Sequence, residues 1–362
     1  MKLLFAGGGT AGHIEPALAV ARGWNLERPL DELIFIGTQT GLEQTLVPAA
    51  GFTLRNIPKV AISRSLSPSL LKVPFQLIAA ITTTMKYLDG VDCAIGFGGY
   101  VSGPLYIAAK LKRIPFVIHE QNARPGWANR MGARLTPFAA ISYPVESGAL
   151  AKAELTGLPL RRDVLQAIEA AESNWKSART KAKAKVAARY LVKASNPLIF
   201  IFGGSQGSQA INQIIESSRQ YLESHDISVI HGVGRNNPLP ESSDSYKALS
   251  YIDEMADLYL AADLLIARSG AVTCAEAAAL SRFNLFIPLP VGNGEQALNA
   301  QALVRADRAE IIEQKNFTSE WFCANIERLL AESARRSESG DTTGVNAVDK
   351  IIAIIKQASG VQ

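Results

Sequence analysis

Only three cysteines, Cys93, Cys274 and Cys323, occur in 362 residues, and no two share a C-x-x-C spacing. They read as small buried residues of a reducing compartment, neither a disulfide framework nor a metal site. The four histidines form no cluster and no Asp-x-Asp pair occurs, so the pattern offers nothing to hold a catalytic metal. No stretch approaches the ~20 apolar residues of a membrane span. Met1-Lys2 leads straight into an apolar run, which predicts no cleavable leader and a cytoplasmic protein that can still touch a membrane. The net charge of +4 is compatible with anionic substrates or an anionic membrane surface, and too weak to argue for nucleic acid.

What is present is enough apolar material for two domains, with 48% hydrophobic and 19% charged residues. The most informative stretch is Gly7-Gly8-Gly9-Thr10-Ala11-Gly12-His13-Ile14-Glu15-Pro16, between the apolar run Leu3–Ala6 and a helical pattern from Ala17. A buried strand, a bare loop and a helix start aim backbone N–H groups and the positive helix end at one point. Such a point suits phosphate, carboxylate or a developing oxyanion. His13 is the one side chain in the loop that moves a proton near neutral pH. Gly7 to Gly12 also spells the dinucleotide-binding turn, but that turn wants an acid after the second strand. Here Leu33–Ile36 ends in Gly37-Thr38, with Asp31 and Glu32 at the wrong end, which weakens a nicotinamide reading.

Strand-like runs at Leu3–Ala6, Leu33–Ile36, Cys93–Gly96, Phe116–His119 and Ala139–Tyr143 alternate with helical patterns, which predicts a doubly wound parallel sheet. Ligands of such sheets lie at the carboxyl ends of the strands, where Gly8–Glu15, Gly96–Pro104 and His119-Glu120-Gln121-Asn122 fall. Gly96–Pro104 reads equally as a tight turn or a backbone cradle for phosphate. His119 reads as a core histidine, Glu120 and Asn122 as loop residues facing the ligand. The apolar segment 66–88, flanked by Arg64, Lys72 and Lys86, is either a buried helix or a surface that dips into a membrane interface.

A Gly/Pro break at 156–162 predicts the interdomain linker. The basic stretch Asn174 to Lys193, with seven Lys and Arg and no acid, reads as a solvated helix face. The pattern then restarts with Leu198–Phe202 and Gly203-Gly204-Ser205-Gln206-Gly207-Ser208. Further strands are expected at Ser228–His231, Ala248–Tyr251, Leu264–Ala267 and Leu285–Pro288, and His225 and His231 read as structural residues without partners. Arg268-Ser269-Gly270-Ala271-Val272-Thr273-Cys274-Ala275-Glu276 predicts a small-residue loop and a helix with an acid in its first turn. That carboxylate could accept from two sugar hydroxyls or only complement the helix dipole. Gly292–Asn299 offers amides suited to sugar hydroxyls, and the last helix, 346–357, is expected to cross back onto the first domain.

Taken together, Gly8-Gly9-Thr10-x-Gly12-His13, Gly98–Pro104, His119–Asn122, Pro125-Gly126-x-Ala128-Asn129-Arg130, Gly203–Gly207 and Arg268–Ala271 resemble the MurG family of N-acetylglucosaminyltransferases, in order over nearly the whole chain. The resemblance implies a GT-B fold, two Rossmann-like α/β domains facing a central cleft, with boundaries at 1–158 plus 346–362 and at 159–345. It implies UDP-N-acetylglucosamine as donor and lipid I as acceptor, no cofactor, and a peripheral enzyme on the cytoplasmic side of the cell membrane, meeting anionic phospholipid.

Carried onto this sequence, Arg161, Ser205, Gln206 and Gly207 would meet the diphosphate and Ile252 the uracil. Glu276 would hold the ribose, Ala271, Val272, Thr273, Cys274 and Ala275 would line the nucleotide, and Gln296 would reach the sugar. Thr10, Ala11, Gly12, His13 and Asn122 would close over donor and acceptor, with Gly98, Gly99, Tyr100 and Ser102 on the acceptor. His13 is the expected base and Glu120 its rival.

Four positions depart from the family pattern: Ala11, Glu15, Leu158 and Glu295. The two acids add negative charge where pyrophosphates must bind. Another GT-B glycolipid transferase or a UDP-sugar epimerase would share the nucleotide loop without needing Gly98–Pro104 beside His119–Asn122. A non-enzymatic membrane or scaffold protein would have no use for His13, Arg161 and Glu276 together.

Overall fold

The computed structural model describes residues 1–60, 72–252, 254–342 and 344–361. The chain divides into two compact units, Met1–Arg161 with Gly344–Gln362, and Arg162–Thr343.

The first unit is built on β1 (Lys2–Ala6), β2 (Glu32–Gly37), β3 (Thr53–Asn56), β4 (Cys93–Gly96), β5 (Phe116–Glu120), β6 (Ala139–Ile141) and β7 (Glu154–Leu155). They form one sheet in the order β3-β2-β1-β4-β5-β6-β7, with all pairs parallel. Successive side chains of a strand point to opposite faces, so Leu3 and Phe5 join one core and Leu4 and Ala6 the other. The connecting helices are α1 (Ala11–Glu27), α2 (Glu43–Ala49), α3 (Val73–Tyr87), α4 (Ser102–Lys112) and α5 (Trp127–Gly132).

The second unit carries β8 (Leu198–Phe202), β9 (Ser228–Gly232), β10 (Tyr246–Leu249), β11 (Leu264–Ala267), β12 (Asn284–Phe286) and β13 (Ala309–Ile311). Their order is β10-β9-β8-β11-β12-β13, again parallel throughout. Its helices are α6 (Arg162–Glu172), α7 (Trp175–Tyr190), α8 (Gln209–Ser217), α9 (Arg219–Ser224), α10 (Met255–Ala261), α11 (Ala271–Leu280), α12 (Glu295–Asn299), α13 (Gln301–Arg305) and α14 (Ser319–Ala334). Ile199 and Ile201 meet α8 and α14 on one face, while on the other Phe200 stacks on Phe202 and both meet Tyr259 edge-on.

The final helix, α15 (Ala347–Ser359), belongs to the first unit and lies against α1. Its Ile351, Ile352, Ile354 and Ile355 are buried in the core with Trp24, each contributing about 1.5–3 kcal/mol. At Gly23 the two helices approach so closely that a Cβ would stand 2.5 Å from Val348 Cγ1.

Several expectations need correction. The basic helix α7 does not simply face water: Lys183 pairs with Asp263 at 2.7 Å, Lys185 with Asp257 at 2.5 Å, and Arg189 with Glu254. The run finds its missing acids on and beside α10, so much of its charge is neutralised within the unit. His231 has partners, with Nδ1 2.8 Å from Tyr246 Oη and Nε2 3.1 Å from Asn212 Oδ1. His225 has them too, Nδ1 lying 2.8 Å from Tyr221 O.

The apolar segment resolves into α3, whose Leu77 and Ile81 pack on the core while Phe75 and Ile78 stay 76% and 59% exposed. Residues 66–71 of that segment, with Arg64, lie outside the described residues. Among the described residues no helix is long and apolar enough to cross a membrane.

Candidate active site

In both sheets the chain starts in the middle, runs to one edge and returns to the other side. The order therefore switches between β1 and β4, and between β8 and β11. Loops leaving the carboxyl ends of two such strands diverge and leave a crevice for ligand. The glycine-rich segments stand at these two switch points.

In the first unit the loops after β1 and β4 interlock. A Cβ on Gly99, whose φ is +77°, would stand 2.5 Å from Gly8 O, and one on Gly9 2.7 Å from Tyr100 Cε1. These glycines serve loop-to-loop contact first. Ser102 is fully buried, its hydroxyl shared between Gly98 O at 2.7 Å and Ala6 O at 3.2 Å, so it shapes the loop from within.

Thr10 N-caps α1 with extended backbone, and its Oγ1 lies 3.0 Å from Nδ1 of His13. With Nδ1–H donating to Thr10, Nε2 is left as the acceptor, on the side of Gly98: a Cβ there would stand 3.4 Å from it. His13 is half-buried, and desolvation pushes its pKa down to about 4. At neutral pH it is an uncharged imidazole able to take a proton.

Glu120 has a different environment. Its buried carboxylate accepts from the Asn122 and Gly126 backbone N–H groups at 2.9 Å each, from Asn129 Nδ2 at 3.0 Å and from Asn122 Nδ2 at 3.2 Å. Burial raises its pKa against these hydrogen bonds. Asn129 also accepts from Tyr106 Oη at 2.7 Å, which fixes the start of α5. His119 is buried, with Nε2 3.0 Å from Gly157 O and a pKa lowered by burial to about 4.

One residue escaped sequence reasoning, and another was seen only as part of a motif. Glu43, at the start of α2, is fully buried and accepts from Thr38 N at 2.8 Å, Tyr100 Oη at 3.1 Å and Gly9 N at 3.1 Å. An acid does follow the second strand, therefore, but protein donors occupy it. The Gly9 N–H, expected to be bare, is occupied as well. The available signal was Gly37 and Gly41, where any Cβ would strike the Glu43 side chain.

Arg268, which opens the motif Arg268–Ala271 but was given no role, is buried after β11. Its Nη2 donates to Ser208 Oγ at 2.8 Å and Gln314 Oε1 at 2.5 Å, and its Nη1 to Ile287 O at 2.9 Å and Pro288 O at 3.1 Å. One guanidinium ties together the loops after β8, β11, β12 and β13. All four acceptors are neutral, so its positive charge lies beside the N-cap of α8 with no carboxylate on it among the described residues.

Of the expected donor residues, Ser205, Gln206 and Gly207 form the loop after β8, with Gln206 O held by Asn237 Nδ2 at 3.0 Å. Ala271, Val272, Thr273, Cys274 and Ala275 form the first turns of α11, and Cys274 is buried with its thiol pKa raised. Glu276 is the sixth residue of that helix, not in its first turn, so complementing the helix dipole is not its role. Ile252 is buried against Gly232. Gln296 Oε1 accepts from Leu289 N at 3.0 Å, and Glu295, the first residue of α12, exchanges hydrogen bonds with Asn293 at 3.2 Å each way, which holds the turn that enters the helix. Leu158 is buried, a core residue in place of a turn amide. Arg161 closes the first unit; Thr10 and Asn122 lie in loops at the carboxyl ends of β1 and β5, and Ala11 and Gly12 open α1. Among the described residues no three His, Cys, Asp or Glu side chains gather as a metal site would need.

Residues 3–140 match the glycosyltransferase family 28 N-terminal domain and residues 198–355 the family 28 C-terminal domain. A Frankia casuarinae protein, UDP-N-acetylglucosamine–N-acetylmuramyl-(pentapeptide) pyrophosphoryl-undecaprenol N-acetylglucosamine transferase, is 40% identical over 374 residues, covering 99% of this chain and 96% of that one. A Thermobifida fusca protein of the same name is 40% identical, covering 98% and 93%. The crystal structure of Acinetobacter baumannii MurG matches with a TM-score of 0.72 at 25% identity, over 98% of this chain and 99% of that one. A Neisseria meningitidis UDP-GlcNAc 2-epimerase, at 14% identity and a TM-score of 0.60, shares the fold alone. With two parallel-sheet domains of this order, and relatives this similar over nearly their whole length, the chain belongs to the MurG family of N-acetylglucosaminyltransferases.

Proposed function

We propose that the chain transfers N-acetylglucosamine from UDP-N-acetylglucosamine to the 4-hydroxyl of the muramoyl sugar of lipid I, giving lipid II for peptidoglycan synthesis. The observation that carries the chemistry is His13, neutral at physiological pH and with Nδ1 on Thr10 Oγ1, so that the tautomer with Nδ1–H donating to Thr10 presents Nε2 as the acceptor. The acceptor hydroxyl attacks the anomeric carbon from the face opposite UDP, so a single displacement inverts the linkage. His13 takes the hydroxyl proton, and the negative charge of bound diphosphate raises its basicity above that of the free protein. Glu120, with four donors on its carboxylate, is the organiser of the 122–129 loop, which leaves His13 as the base.

The second unit holds the donor. The N-terminus of α8, the loop Ser205–Gly207 and Arg161 stabilise the leaving diphosphate without calling on a metal. Ile252 offers backbone groups to uracil, Glu276 takes the ribose hydroxyls, Ala271–Ala275 line the nucleotide and Gln296 addresses the sugar. Thr10, Ala11, Gly12 and Asn122 complete the donor contacts, and Gly98, Gly99 and Tyr100 receive the acceptor, with Ser102 shaping their loop.

The same reading makes the protein a peripheral one at the cytoplasmic face of the membrane. Phe75 and Ile78 on α3, with exposed Lys72 and Lys86, suit an anionic phospholipid surface that carries the acceptor.

Purified protein incubated with radiolabelled UDP-N-acetylglucosamine and a lipid I analogue, with EDTA present, is expected to release UDP and form a β-linked disaccharide lipid. Absence of transfer while UDP still binds by calorimetry would move the acceptor to another glycolipid.

A further inference from the structure

Glu43 is a fully buried carboxylate whose four hydrogen-bond donors among the described residues are all neutral. A desolvated carboxylate needs such donors, and these come from three separate segments. Oε1 takes the Thr38 N–H at 2.8 Å, the Tyr100 hydroxyl at 3.1 Å and the Thr38 hydroxyl at 3.2 Å, while Oε2 takes the Gly9 N–H at 3.1 Å. The loops after β1, β2 and β4 are thereby tied to one side chain. Gly9 is followed directly by Thr10, which caps α1 and holds Nδ1 of His13. Tyr100 belongs to the loop that faces His13 across Gly98.

We infer that Glu43 is a positioning residue for transfer: it fixes the β1 loop, and through it Thr10 and His13, while withholding the Gly9 N–H from any anionic ligand. The Gly9 N–H thus takes no part in holding a phosphate, and the donor contacts of this loop fall to Thr10, Ala11 and Gly12. The equivalent loop after β8 has the opposite character, since its neighbouring side chain is Arg268. This role rests on the transferase reading above.

The test uses Glu43→Gln and Thr38→Val in the full chain. Neither residue is placed on a ligand, and Thr38→Val keeps the carboxylate and its bond to Gly9. Glu43→Gln is expected to lower kcat for transfer about 10- to 100-fold with KM for UDP-N-acetylglucosamine unchanged, the size of effect that misplacing a catalytic group by ~1 Å produces. Amide hydrogen exchange across the β1 loop should accelerate in the same variant. Thr38→Val should lower kcat less, about 3- to 10-fold, again at constant donor KM.

A folded Glu43→Gln with wild-type kcat, or with unchanged exchange at Gly9, overturns the inference. So does a parallel loss of UDP binding, which would mark general damage. Should Glu43→Gln not fold, wild-type kcat in Thr38→Val overturns it. If the wild-type chain itself transfers nothing, the transferase reading fails, and the exchange measurement still judges the clamp.

Discussion

Oγ1 of Thr10 and Nδ1 of His13 lie 3.0 Å apart across the first turn of α1, so the residue that starts the helix also orients the base on it. His13→Ala is expected to lower transfer at least 100-fold, the usual contribution of a positioned general base, while UDP binding by calorimetry is largely kept. Thr10→Val should cost less, about 10-fold in kcat, since the ring stays and only its orientation loosens. Near wild-type turnover in His13→Ala would remove it as the base.

The acid limb of kcat/KM reports the free enzyme's base, and for His13 it is expected to have its midpoint near 4, where burial puts the ring. A midpoint near the ordinary imidazole value of about 6.5 would mean a solvated ring.

Stability should follow the same sign. His119 and His231 are both pushed down to about 4 by burial, below the unfolded imidazole. Between about pH 6.5 and 4 the unfolded chain therefore binds more protons, so this stability is complete above that window and is lost as pH falls through it. The loss is at most about 3 kcal/mol for each ring. Glu120, raised by burial, titrates in the opposite sense and offsets part of it. Urea unfolding midpoints at pH 7 and pH 4.5 measure the difference, and equal midpoints would contradict it.

Glu120→Gln replaces one oxygen by a donor facing donors. Its expected signature is a loss of about 1–3 kcal/mol in thermal or urea unfolding, with slower transfer following from the displaced 122–129 loop. Full stability with abolished transfer would instead restore Glu120 as the base.

Arg268→Lys keeps the charge but cannot serve four acceptors in a plane. UDP affinity measured by calorimetry should fall about 10-fold or more as the loops after β8, β12 and β13 lose their common tie. Unchanged affinity would make Arg268 dispensable to the donor site.

Phe75→Ser combined with Ile78→Ser should weaken binding to vesicles containing anionic phospholipid by about 10-fold or more with little change in melting temperature, because both side chains are exposed. Unchanged sedimentation with vesicles would remove α3 as the membrane face.

The strands legible in the sequence were those whose residues are buried on both faces, such as Leu198–Phe202. The edge strands β3, with Thr53 and Arg55, and β7, with two exposed residues, were not legible, because an edge needs little apolar surface. β10 begins at Tyr246 and not at Ala248, its first side chain being held by His231, a contact no local pattern announces. The glycine loops and His13 were visible because backbone geometry and proton chemistry restrict residue choice there. Glu43 was not, and Arg268 stood in the motif Arg268–Ala271 without a role, since the partners of both come from loops far apart in sequence.

The placement of α15 in the first unit has a consequence for synthesis. The isoleucines that cover Trp24 and the β1 side of the sheet leave the ribosome only after all of the second unit has been made. The first unit therefore completes that core, which α1 and α2 cover in part, only after 162–343 has been synthesised.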